Sequence, residues 1–208
     1  MEADPLTRSV QNLISRVCDL EDACGGKFTI ETETTIGIDY LHLEIRGVDE
    51  LNVKDMLQLT EGSEHIVAFV CNLTKQHLEF RFEMSHRKKR VAEEEIQSSD
   101  EAVKKQFAIV KNLVHSDTED EDVMTVCKYI LAIKDALPVM QMHLVKFDFT
   151  TIPGVIMITV KGIQRIEKHL FLRLKKIIDD TQSDITIFLA ERQCLRICVK
   201  KRKHTVNV

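Results

Sequence analysis

QHLEFRFEMSHRKKR (Gln76–Arg90) and QCLRICVKKRKH (Gln193–His204) decide how this chain is read. Each opens on a polar turn residue, continues as an alternating strand and ends in a basic cluster. The likeness extends outward from both. TTIG at 34–37 answers TTIPG at 150–154, and IRGV at 45–48 answers VKGI at 160–163. Each copy reads helix–hairpin–helix–hairpin, which predicts an α+β fold built by internal duplication, with antiparallel sheets covered by helices. The expected units are an acidic first half over residues 1–86, a connector over 87–116 and a basic second half over 117–208.

The periodicities supply the elements. Leu6, Val10, Leu13, Ile14 and Val17 recur at helical spacing behind Asp4 and Pro5, and Gly25 and Gly26 supply the stop. Leu41, Leu43 and Ile45 alternate with Tyr40, His42 and Glu44, and Leu78, Phe80, Phe82 and Met84 with His77, Glu79, Arg81 and Glu83. A short helix is expected over Val48–Leu59. In the second half, Val123, Val126, Cys127, Ile130 and Leu137 mark a helix that stops at Pro138. Ile163, Ile166, Leu170, Leu174 and Ile177 mark another. Val103, Phe107, Val110 and Val114 predict a connector helix docked on the body. Thr118 and Glu121 have the spacing of a capping box.

The 208 residues suffice for a real core, and 44% apolar with 30% charged side chains is ordinary for a globular protein. No apolar run approaches the ~20 residues of a membrane span, and the N-terminus lacks a secretory pattern. Six cysteines without a CxxC pair point to a reducing interior. The net charge of −4 hides an asymmetry: residues 1–85 hold 7 basic and 16 acidic side chains, whereas residues 123–208 hold 15 basic and 7 acidic. Such polarity favours oriented binding of charged partners.

At the level of topology, helix–hairpin–helix–hairpin resembles the small α/β adaptor folds of the roadblock and longin type and, less closely, RWD modules. The tyrosine–proline signature of RWD modules is absent. The resemblance implies a protein that binds other proteins.

Catalytic motifs are missing. The eight histidines show neither HxxxH nor HxH, and no GxSxG or Gly-rich phosphate loop occurs. Cys194 and Cys198 on one strand would stand ~13 Å apart, too far to share a zinc ion. A non-enzymatic chain without cofactor, metal or small-molecule substrate is therefore expected, Cys71 and Cys127 being the thiols whose surroundings would decide otherwise. The clearest anomaly is the outer face of the second half. Val155, Met157 and Thr159, with Cys194, Arg196 and Cys198, occupy places that are polar in the first half, where a solvated sheet should alternate. Cover from within the chain or a partner interface explains such a face, and a protein partner, including a second copy, is the reading carried forward.

The alternative is phosphate contact with nucleic acid through Arg165, Lys168, His169, Arg173 and Lys176 on the helix at 163–178, together with Lys200, Lys201, Arg202 and Lys203. Arg87, Lys88, Lys89 and Arg90, and again Lys200 to Lys203, resemble nuclear-import signals and tip the expected location toward the nucleus over the cytoplasm. Ser116 and Thr118 precede acids and fit an acid-directed kinase. The function expected is thus an adaptor or assembly subunit of an intracellular complex.

Overall fold

A computed structural model describes residues 4–24, 28–34, 40–60, 65–83, 100–114, 118–138, 142–181, 183–189 and 192–201. In chain order these form α1 (Pro5–Cys24), β1 (Thr29–Thr34), β2 (Tyr40–Arg46), β3 (Glu50–Asn52), α2 (Val53–Thr60), β4 (Ile66–Asn72), β5 (His77–Glu83), α3 (Asp100–Leu113), α4 (Asp120–Ala136), β6 (Lys146–Ile152), β7 (Val155–Lys161), β8 (Arg165–Glu167), α5 (Lys168–Asp180), β9 (Ser183–Phe188) and β10 (Cys194–Lys200). The protein is α+β, and its two sheets are antiparallel.

The sheets run β1-β2-β5-β4-β8 and β3-β9-β10-β7-β6. Each therefore holds four strands from one half and one short strand from the other. β3 pairs with β9 (Leu51 opposite Ile187), and β8 pairs with β4 (Ile166 opposite Cys71). The helix that follows each borrowed strand goes with it. α2 lies against β9, and α5 lies against β4. There the Phe171 ring meets Phe69 at a centroid distance of 4.8 Å. Leu51 and Ile166 are both buried, so each three-residue strand is held by an apolar anchor as well as by its ladder.

Matching backbone features recur in both halves. Gly47 and Gly162, which end β2 and β7, have φ of 87° and 85°. Gln76 and Gln193, which open the last strand of each half, have φ of 58° and 41°. Leu73 N–H donates to Gln164 O (2.9 Å), and Leu189 N–H donates to Asp49 O (2.8 Å).

Three local expectations are corrected. The helix expected over Val48–Leu59 begins only at Val53, because Glu50–Asn52 are drawn into the second sheet. The helical spacing of Ile163, Ile166 and Leu170 runs from an irregular segment through the strand β8 into α5, which starts only at Lys168. Both misreadings share one cause: a short strand and a helix end bury the same apolar residues, and pairing with a distant strand decides between them. Finally, the capping box does not form. Glu119 is the N-cap of α4, without a side-chain cap bond, and Thr118 is turned into the interior at 2% exposure. Lys111 instead donates to Thr118 O (2.7 Å) and Asp120 Oδ1 (2.8 Å), tying α3 to the start of α4. α3 packs along α4 with Val110 and Val114 buried, and Lys134 donates to Gln106 Oε1 at 2.7 Å.

Candidate functional site

The six residues expected at a partner interface share one face. On β7 and β10, Thr159 lies opposite Arg196 and Met157 opposite Cys198, while Cys194 faces Lys161 and Val155 faces Lys200. β6 extends the face with Ile152, opposite Val155, and β9 with Thr186 and Asp184. On the reverse face Ile156, Ile158, Val160, Leu195, Ile197 and Val199 are buried in the core.

The face has a rim and a centre. Lys161 pairs with Asp148 (2.7 Å) and Lys200 with Asp184 (3.5 Å). Between these pairs Val155, Met157 and Cys198 are half-buried, and Ile152 is 47% exposed. Cys194 differs from the other five in being buried. Beside it the Phe188 ring carries two guanidiniums, of Arg192 at 4.9 Å and Arg196 at 4.8 Å. The Nε of Arg196 is buried without a hydrogen-bond partner among the described residues. Among the described residues the connector helix packs on α4.

The first sheet presents a different outer face. Glu44 on β2 stands opposite Glu79 on β5, and Arg46 opposite His77. His77, 3% exposed, has its Nε2 at 2.7 Å from Glu79 Oε1 and 3.9 Å from Glu44 Oε1. Asn72 Nδ2 donates to Glu79 Oε1 (3.0 Å), and Arg165, carried in by the borrowed β8, reaches Glu79 Oε2 at 3.4 Å. Arg46 bridges Glu44 Oε2 (3.0 Å) and Glu31 Oε2 (3.1 Å). Burial raises the Glu79 carboxyl, but the bonds from Asn72 and His77 and the charges of Arg165 and His77 outweigh it, holding the group below the usual carboxylate range. The Arg46 hydrogen bond, against some desolvation, holds Glu44 low as well.

This cluster was not foreseen as a site. The alternation His77-x-Glu79 places two of its members on one face, and that signal is in the sequence. The partner Glu44 comes from the β2–β5 register, which joins strands that no tight turn connects.

Several cations of the expected nucleic-acid surface are engaged within the chain. Lys168 donates to Ile66 O (3.2 Å), His169 Nε2 lies 2.8 Å from Ala136 O, and Arg165 is paired with Glu79. Burial lowers the Lys168 ammonium below its ordinary value. Lys176 is exposed, Arg173 is half-buried, and Lys201 N–H donates to Gly154 O. Arg202 and Lys203, the run Arg87, Lys88, Lys89 and Arg90, and Ser116 lie outside the described residues. Thr118 is described and buried, so a kinase could reach its hydroxyl only after local opening. Burial pushes the Cys127 thiol up to about 11 and that of Cys71 further, which disfavours a thiolate at neutral pH. It raises Cys194 and Cys198 too. A cleft between the end of α4 and the start of α5, lined by Leu137, Arg165, Glu167 and His169, holds about 50 Å³, far short of the ~300–1,000 Å³ of ligand pockets. No described helix is long and apolar enough to cross a membrane.

Comparison with protein-family models, with curated proteins and with solved structures finds no match.

Proposed function

We propose that the chain is a non-enzymatic adaptor or assembly subunit of an intracellular, in particular nuclear, protein complex, docking through the outer face of the second sheet. The observation that carries this reading is the contrast between two outer faces of the same strand order. The first is closed by ion pairs and hydrogen bonds among its own side chains. The second has a half-buried centre of Val155, Met157 and Cys198 beside Ile152, flanked by the pairs Lys161–Asp148 and Lys200–Asp184 and by Arg192 and Arg196 on the Phe188 ring. An apolar centre within a charged rim is the anatomy of a protein interface. The excess of cations on the rim suits a protein partner whose apolar contact residues are flanked by carboxylates.

The reading is tested by light scattering and native-extract gel filtration of wild type and Met157→Glu. Wild type is expected in an assembly larger than a monomer whose size resists salt, and Met157→Glu, equally folded, at monomer size. An unchanged assembly in the variant overturns the reading, as does steeply salt-sensitive duplex-DNA binding lost in Arg173→Glu with Lys176→Glu, which would favour phosphate recognition.

Internal duplication belongs to the same proposal. The matched pairs Gly47/Gly162 and Gln76/Gln193 and the reciprocal strands support it, as do the sequence correspondences around them. Nuclear residence rests on the basic clusters at 87–90 and 200–203, and a reporter fused to each is its check.

A further inference from the structure

We propose that Glu44, His77 and Glu79 form a binding site for one divalent transition-metal ion of the zinc class. The observation is convergence. One ligand atom from each of Glu44, His77 and Glu79 lies within 4.8 Å of the other two, on one face of β2 and β5. His77 Nε2 is 3.9 Å from Glu44 Oε1 and 2.7 Å from Glu79 Oε1. The outer oxygens are held away from this point, Glu44 Oε2 by Arg46 and Glu79 Oε2 by Arg165. Guanidiniums on the far oxygens orient a carboxylate as outer-sphere partners of metal ligands do.

The spacing is informative. Glu44 Oε1 points at His77 from 3.9 Å, beyond hydrogen-bond range. Two ligand atoms bound to zinc at about 2.0–2.2 Å and near the tetrahedral angle stand about 3.3–3.6 Å apart. An ion seated among the three would thus draw Glu44 Oε1 inward by a few tenths of an ångström. It would replace the 2.7 Å hydrogen bond of His77 with Glu79 and lengthen that contact, the proton on Nε2 being exchanged through solvent for one on Nδ1. The imidazole that binds the ion is then the neutral tautomer with its one N–H at Nδ1. The ligand types choose the metal class. One imidazole with two carboxylates suits zinc and its neighbours, whereas calcium and magnesium prefer all-oxygen shells. Arg46 and Arg165 offset part of the carboxylate charge, and Glu31, sharing Arg46, restores some of it. Three protein ligands leave a fourth position for water or for a group from a partner.

The test is equilibrium dialysis of the chelator-stripped full chain against Zn2+, with Co2+ as spectroscopic probe. One equivalent of zinc is expected, with affinity at least ~10-fold weaker in Glu44→Gln and zinc lost in His77→Gln. The cobalt form should show a low-symmetry visible spectrum without a thiolate charge-transfer band. No zinc uptake overturns the site, as does uptake unchanged by Glu44→Gln, or a thiolate band pointing to cysteine ligation. Glu44 is only part-buried, so its variant decides the matter even if His77→Gln fails to fold.

Discussion

The backbone N–H of Leu73 donates to the carbonyl of Gln164 at 2.9 Å, joining the end of β4 in the first half to the lead-in of β8 in the second. The bond from Leu189 to Asp49 does the same in the opposite direction. Each half thus completes the other's sheet and then roofs it with a helix. Separated chains 1–116 and 117–208 would each leave a β4-type or β9-type edge open and lose the helix beneath it. Each alone is expected to lack a cooperative urea transition, and the two co-expressed to reassemble into one particle by light scattering. A cooperative transition in either isolated half would contradict the reciprocal arrangement.

Glycines 154 and 162 both sit at positive φ, yet they differ in what surrounds them. A Cβ on Gly154 meets nothing within 4 Å, so Gly154→Ala should cost only the left-handed strain of ~1–2 kcal/mol. A Cβ on Gly162 would lie 2.1 Å from Leu144 O, a backbone atom that cannot rotate away. Gly162→Ala must therefore shift the chain entering β6. It should destabilise well beyond Gly154→Ala in chemical denaturation. Equal effects would show that strain at φ, not the close approach, governs the site.

Gln193 holds φ of 41° at the start of β10, a region that side chains other than glycine enter at a cost. Gln193→Gly should raise stability by ~0.5–1 kcal/mol, a melting shift of roughly 1–4 °C for a chain of this size. Gln76, at φ of 58°, lies in the same left-handed region, and Gln76→Gly should gain by a similar amount. Scanning calorimetry of the two variants reads both shifts, and no rise in either would show that left-handed strain costs nothing there.

The sequence carries the long elements and the core because their signals are local. α1, α4 and the paired strands β6–β7 and β9–β10 follow from apolar spacing, turn residues and Pro138. Leu43, Ile45 and Phe80 were legible as inward-facing for the same reason. What was not legible is who pairs with whom. Leu51 and Ile166 look like helix residues until β9 and β4 claim them, and Glu44 looks like one more solvated carboxylate until the register sets it beside His77 and Glu79. Thr118 shows the reverse failure. Its cap signature is local and strong, but burial of its side chain and the reach of Lys111 to its carbonyl override it.

Lys168 tests how much of the basic α5 is available to a polyanion. Its ammonium is drawn in toward Ile66 O, and burial depresses its proton affinity below the ordinary value of 10.5. Below the depressed folded value the group is charged in both states and folding bears the full burial cost. Above the unfolded value it is neutral in both, and that cost is gone. Between the two the unfolded chain binds more protons, so stability rises with pH through this alkaline window. Lys168→Met lacks this gain and also loses the hydrogen bond to Ile66. Whatever that bond contributes, the stability difference should move in favour of the wild type as pH climbs toward 10.5. Urea titrations of both proteins at neutral and alkaline pH measure it. A difference that stays constant would mean that Lys168 is solvated, and would return it to the surface cations that phosphate could use.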